Sequence, residues 1–117
     1  MGNVKVQNIT RECLLGDRVR EARSFWQRGR GLMFIAGLEP GQGLIIDPCS
    51  SIHSFWMRFP IDVLYMDRSG RVVRADQCMR HWRVGPVFTG SKWVIELPPG
   101  TIEASGTKAG DQIEVTT

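Results

Sequence analysis

The sequence predicts an α+β but mainly β single domain over residues 1–117, shaped as a compact barrel or sandwich with one short helix. Three observations predict it. The length of 117 residues suits one core, and 42% hydrophobic residues are enough to fill it. Thirteen glycines and six prolines call for many turns, which favours short strands over a helical bundle. Short apolar runs of strand length lie between those turns, with no internal repeat, charge block or linker.

The elements follow in order. Val4, Val6 and Asn8 alternate as a first strand, and Cys13-Leu14-Leu15 is a second apolar run. Gly16-Asp17 reads as a turn, with Val19 to Ala22 returning as a hairpin. Ser24 is a helix N-cap for one or two turns through Phe25, Trp26, Leu32 and Met33, which Gly29 and Gly31 keep short. Leu38 to Gly43 is a turn, and Leu44-Ile45-Ile46 is a buried strand stopped by Asp47-Pro48. Ile61 to Met66 is a strand, Asp67 to Gly70 a hairpin turn, and Arg71 to Ala75 the partner strand. Asp76 to Lys92 reads as a long loop, and Trp93 to Leu97 as a strand ended by Pro98-Pro99-Gly100. Thr101 to Ser105 forms a helical turn with Gly106 at its C-cap. Lys108 to Asp111 is a turn before a closing strand, Gln112 to Val115.

Charge and cysteine content narrow the function classes. The net charge of +3 is modest, and Arg18, Arg20 and Arg23 are interleaved with Asp17 and Glu21. That reads as a solvated mixed surface and not as a nucleic-acid face. Three cysteines cannot all pair within one chain, which argues against a disulfide scaffold and suits a reducing compartment. The first residues form no apolar signal core, and no spanning segment follows, so the expectation is a soluble, cytoplasmic protein with no membrane partner. No oligomeric state can be read from the chain.

The densest chemistry lies in Cys49 to Asp67, where a thiol, an imidazole, a guanidinium, a carboxylate and four aromatic rings crowd together. On a strand from Ile61 to Met66, Asp62 shares a face with Leu64 and Met66. An acid on a core face needs partners, and Arg58, His53 or backbone amides of the preceding loop are the expected donors. Four constellations compete. Cys49-x3-His53 and Cys78-x2-His81 have zinc-ligand residue types but no paired knuckle, so neither metal nor cofactor is expected. Cys49 and His53 form a nucleophile–base pair on paper, without a visible oxyanion hole. Asp62 and Glu96 would suit acid–base hydrolysis if they met across a cleft, against a structural role for each. His53, Trp56, Arg58 and Asp62 would line a ligand site, in which aromatic faces stack on a sugar or planar group.

Several blocks taken together carry a resemblance. They are Gly31-Leu32-Met33-Phe34, Gly43-Leu44-Ile45-Ile46, Cys49, Ile52-His53-Ser54, Met57-Arg58-Phe59-Pro60-Ile61-Asp62-Val63, Val94 to Gly100, and Gly110-Asp111. From about Val19 onward the chain resembles the bacterial and archaeal domain of unknown function 192 family. The resemblance implies a small, mainly β domain and no established activity. Relatives with an export signal or lipid anchor do not transfer their location here. Trp56 stands where relatives often have a smaller residue, which narrows the space beside the loop. The functional expectation is binding of a small polar, carbohydrate-like ligand, or an accessory contact, without catalysis. The alternatives are a small hydrolase using Asp62/Glu96 or Cys49/His53, and an assembly module of a larger complex.

Overall fold

The computed structural model of the chain describes residues 3–22, 38–48, 60–79 and 91–117. Its strands are β1 (Val4–Asn8), β2 (Cys13–Ala22), β3 (Gln42–Ile46), β4 (Ile61–Met66), β5 (Val72–Met79), β6 (Trp93–Leu97) and β7 (Ile113–Thr116). One helix, α1 (Thr101–Ser105), lies between β6 and β7. The strands form one sheet in the order β5-β4-β6-β3-β2-β1-β7. All neighbours pair antiparallel except β2 and β3.

The sheet curls until its two outer strands meet. Arg71 bridges Gln112, the Val72 amide donates to the Asp111 carbonyl at 2.9 Å, and the Ile113 amide donates to the Gly70 carbonyl at 2.8 Å. This short seam curls the sheet into a half-barrel whose inner face is an apolar core. Val6, Val19, Ile45, Leu64, Met66, Ile95 and Leu97 fill it, and Ile102 of α1 packs with them. The outer face over the central strands is also buried: Leu44, Ile46, Ile61, Val63, Tyr65 and Val94 form a second apolar cluster. Every residue of β4 is buried, so this strand is covered on both faces. That explains its nearly unbroken apolar sequence.

Among the described residues, the expected class, mainly β with one short helix, is the observed one. The strands Ile61–Met66 and Trp93–Leu97 and the helix Thr101–Ser105 have the expected bounds. The helix ends on Gly106 in the left-handed region, whose amide returns to the Ile102 carbonyl at 2.9 Å. Two expectations are corrected. Gly16-Asp17 is no turn: β2 runs through it without a break, and its register with β1 shifts there. A Cβ on Gly16 would stand 2.9 Å from a Val19 methyl and 3.0 Å from the Gly41 carbonyl oxygen, so glycine serves close approach at a bulge. The β1–β2 reversal lies at 9–12 instead. Residues 76–79, expected in a loop, extend β5. Asp76 and Gln77 break the apolar pattern, but backbone pairing to β4 holds the strand. The helical turns expected between 25 and 33 lie outside the described residues.

Candidate functional site

Asp62 is buried on the inner face of β4, level with Leu97 of β6. Both of its oxygens accept backbone amides. Oδ1 takes the Cys78 N–H at 2.9 Å, and Oδ2 takes the Ile102 N–H at 2.8 Å. Each donor needs an outside acceptor for a local reason. Between the pairs Ile61–Met79 and Val63–Asp76, β5 carries one extra residue, and Cys78 has φ 52°. The bulge turns its amide out of the ladder. Ile102 lies in the first turn of α1, where amides have no partner within the helix, and the N-cap residue is Gly100 with no side chain. Asp62 therefore caps a helix 40 residues away and stabilises a bulge with one carboxylate. The expected burial is found, and the amide donors among the described residues belong to β5 and α1; the preceding loop, where amide donors were expected, lies outside the described residues. The side-chain donors considered from sequence, His53 and Arg58, lie outside the described residues.

Glu96 stands on the opposite face. It pairs in register with Leu44 of β3 and Val63 of β4, both members of the outer apolar cluster. It is 2% exposed, and its Oε1 has no hydrogen-bond partner among the described residues. Burial among apolar neighbours penalises the charged form and pushes its carboxyl up to about 8. Asp62 and Glu96 thus point to different sides of one sheet and share no cleft.

The barrel has two unlike ends. The chain leaves β6 at Leu97 and enters α1, which packs Ile102 into the core at that end. Trp93 begins β6 at the other end, where a cavity of about 290 Å³ opens. Ile45, Ile113, Val115 and the Trp93 ring give it an apolar wall, while Glu21, Asp47, Arg68, Ser69 and Gly70 give it a polar rim. The rim is pre-ordered. The Trp93 indole N–H donates to the Asp67 carbonyl at 2.8 Å, which fixes the ring. Asp67 Oδ1 in turn accepts the Ser69 hydroxyl at 2.7 Å and the Ser69 and Arg71 amides at 2.9 Å each. The Ser69 hydroxyl, then the Arg71 amide, hold the Asp67 carboxyl below its ordinary value.

The sequence reading missed this mouth. Parity along β2 puts Glu21 on the face of Val19, and parity along β3 puts Asp47 on the face of Ile45. That was the available signal, but only the pairing of Glu21 with Ile45 and of Trp93 with Met66 brings the three side chains to one rim. Of the other candidates, Cys49, His53, Trp56 and His81 lie outside the described residues. Cys78 is exposed at the β5 bulge. Among the described residues no three His, Cys, Asp or Glu side chains gather as a metal site, and no helix is long and apolar enough to cross a membrane.

Comparison with known proteins agrees with this architecture. A protein of unknown function from Novosphingobium aromaticivorans has a structure that superposes with a TM-score of 0.81 at 23% identity, covering 95% of this chain and 82% of that one. A Sinorhizobium meliloti structure superposes with a TM-score of 0.74 at 22% identity. At such identities the likeness is one of fold. In sequence, a UPF0127 protein of Thermococcus sibiricus is 33% identical over 111 residues, which make up 92% of this chain and 71% of that protein. A UPF0127 protein of Pyrococcus furiosus is 32% identical over 113 residues, 92% of this chain and 94% of its own length. The family profile named DUF192, "Uncharacterized ACR", matches residues 7–115 and so takes in the end of β1 and all of β2, upstream of the motifs noted from sequence. The chain belongs to the DUF192 family, whose function is uncharacterised.

Proposed function

We propose that this chain is a binding module for a small polar ligand, housed in the barrel mouth and acting without catalysis. The observation that carries the reading is the cavity between Trp93 and the Glu21–Asp47–Arg68 rim. The pocket is open and more polar than apolar in its lining, which suits a polar ligand, and mouths of β-barrels are a usual place for a small-molecule site. A hydrolytic Asp62/Glu96 pair receives no support, since the two carboxylates face opposite sides of the sheet and Asp62 already accepts two amides. An assembly role is less favoured, because the large apolar side chains exposed among the described residues are only Ile9 and Leu14. The reading does not rest on His53, Trp56 or Arg58. A cytoplasmic setting belongs to the proposal and is supported by the sparse, odd set of cysteines.

The test is a thermal-shift screen of a small polar-metabolite library against the wild type and Val115→Trp, which fills the mouth. A ligand at a hundred times its Kd stabilises by about 2.7 kcal/mol, a shift of several degrees that Val115→Trp should lose. No stabilising compound, or one that stabilises both proteins equally, would overturn the reading.

A further inference from the structure

The cavity at the barrel mouth is lined by one guanidinium and two carboxylates, and their pairing restricts what the mouth can take. Glu21 and Asp47 are not free, since each already has a partner. That partner is not Arg68. Among the described residues the Arg68 side chain makes neither a hydrogen bond nor an ion pair, although two carboxylates line the same cavity. A guanidinium carries its N–H donors in a planar fork, and a carboxylate fits that fork with two parallel bonds. The mouth thus presents an unused donor fork, while the acceptors beside it are engaged elsewhere.

The turn that carries Arg68 is fixed before any ligand arrives. Asp67 Oδ1 accepts the Ser69 and Arg71 amides at 2.9 Å each, and the Gln112 side-chain amide donates to the Ser69 carbonyl at 2.7 Å. The last bond ties the turn to the residue before β7, the strand whose Ile113 and Val115 line the cavity with Ile45. A fixed turn lowers the ordering cost of binding. Charge then decides between the two oxyanions that a guanidinium takes best. Among the described residues Arg68 is the one cationic side chain on the cavity, so it balances a single negative charge. A carboxylate brings one. A phosphate monoester brings about 1.5–2 at neutral pH, and the excess would stay unpaired. The volume, about 290 Å³, lies at the lower limit of about 300 Å³ for small-molecule pockets, so the apolar body that accompanies the carboxylate is short.

From this geometry we infer that the barrel mouth binds a small monocarboxylic acid in its ionised form, with the carboxylate on the Arg68 guanidinium and a short apolar body against Ile45, Ile113 and Val115. The inference rests on the mouth being a ligand site at all, and the experiment separates the two. The backbone amide resonances of Gly70 and Val115 report on two sides of the mouth. The wild type is titrated near neutral pH with acetate, isovalerate and benzoate, and separately with isovaleramide, isopentylamine, D-glucose and inorganic phosphate. At least one carboxylate should move both amides saturably, and the other probes should bind more weakly or not at all. Arg68 is exposed, so Arg68→Gln keeps the fold, and it should weaken carboxylate binding about tenfold or more with an unchanged amide spectrum elsewhere. Saturable binding of the amide, the amine, the sugar or phosphate as tight as that of the best carboxylate would overturn this inference while upholding the mouth as a site. Carboxylate binding that Arg68→Gln leaves intact would overturn the assigned contact. No shift with any probe would overturn the inference and, together with an empty thermal-shift screen, the binding reading as well.

Discussion

Replacing Asp62 with alanine removes two acceptors at once. The Cys78 and Ile102 amides would lose the carboxylate that receives them. A buried donor left without a partner costs about 1–3 kcal/mol, so Asp62→Ala should lose on the order of 3–5 kcal/mol. Asparagine is a partial remedy. It keeps one acceptor oxygen, but its amide nitrogen meets an N–H where the second oxygen stood. Urea denaturation should therefore rank wild type above Asp62→Asn, and Asp62→ Asn above Asp62→Ala. An alanine variant within error of wild type would show that the carboxylate is no brace. Since Asp62 lies at the α1 end of the barrel, ligand-induced stabilisation at the mouth should survive in whichever variant stays folded.

At the scale of elements, the seam between the β4–β5 hairpin and β7 is the narrow point of the barrel. Gly70 has φ 86°, and a Cβ there would approach the Ile113 carbonyl oxygen to 2.9 Å and the Gln112 side-chain amide nitrogen to 3.0 Å. Gly70→Ala should cost about 1–3 kcal/mol through backbone strain, and hydrogen exchange at Val72 and Ile113 should quicken before that of β4 and β6. Uniform exchange across all strands would contradict a weak seam. How much of these elements was legible in sequence follows their locality. β4, β6 and α1 were readable because apolar runs and nearby turn residues bound them. Gly16-Asp17 misled because a glycine required by a distant carbonyl, that of Gly41, looks like a glycine required by a turn. Asp76 to Met79 misled because pairing with β4, and not side-chain pattern, makes them a strand. The same holds for the sites. Parity foretold that Asp62 is buried and that Glu96 shares a face with Val94. The partners of Asp62, 16 and 40 residues away, and the rim of Glu21, Asp47 and Trp93 depend on register, which no local pattern encodes.

For the whole molecule, Glu96 gives stability a slope with pH. Its carboxyl rises from 4.5 to about 8 on folding, so the folded protein keeps a proton that the unfolded chain releases. The stability is full below 4.5 and falls by about 1.4 kcal/mol per pH unit as pH climbs toward 8, then levels. Glu96→Gln cannot ionise, so its stability should lack this slope and overtake that of the wild type by pH 8–9. Parallel pH–stability curves for the two proteins would show that Glu96 is ionised in the fold. Asp111 works in the opposite direction. Burial pushes its carboxyl up, but hydrogen bonds from Arg11, Asn8 and the Lys108 amide outweigh that and hold it below 3.8. Its contribution is present above 3.8 and is lost as pH falls further.

The pairing of β1 with β7 bears on how the protein is made. Lys5 faces Thr116 and Asn8 faces Ile113, so the first and last strands are neighbours in the sheet. On the ribosome, β1 and β2 emerge early and can zip into a hairpin, but the other edge of β1 stays bare until β7 has been synthesised. A bare edge carrying Val4 and Val6 is a template for pairing with other nascent chains. Contacts this distant along the chain also slow the final closure. Yield from the cell should therefore depend on translation speed through the second half of the message, and on holdase capacity, more steeply than the stability of the finished barrel alone would suggest.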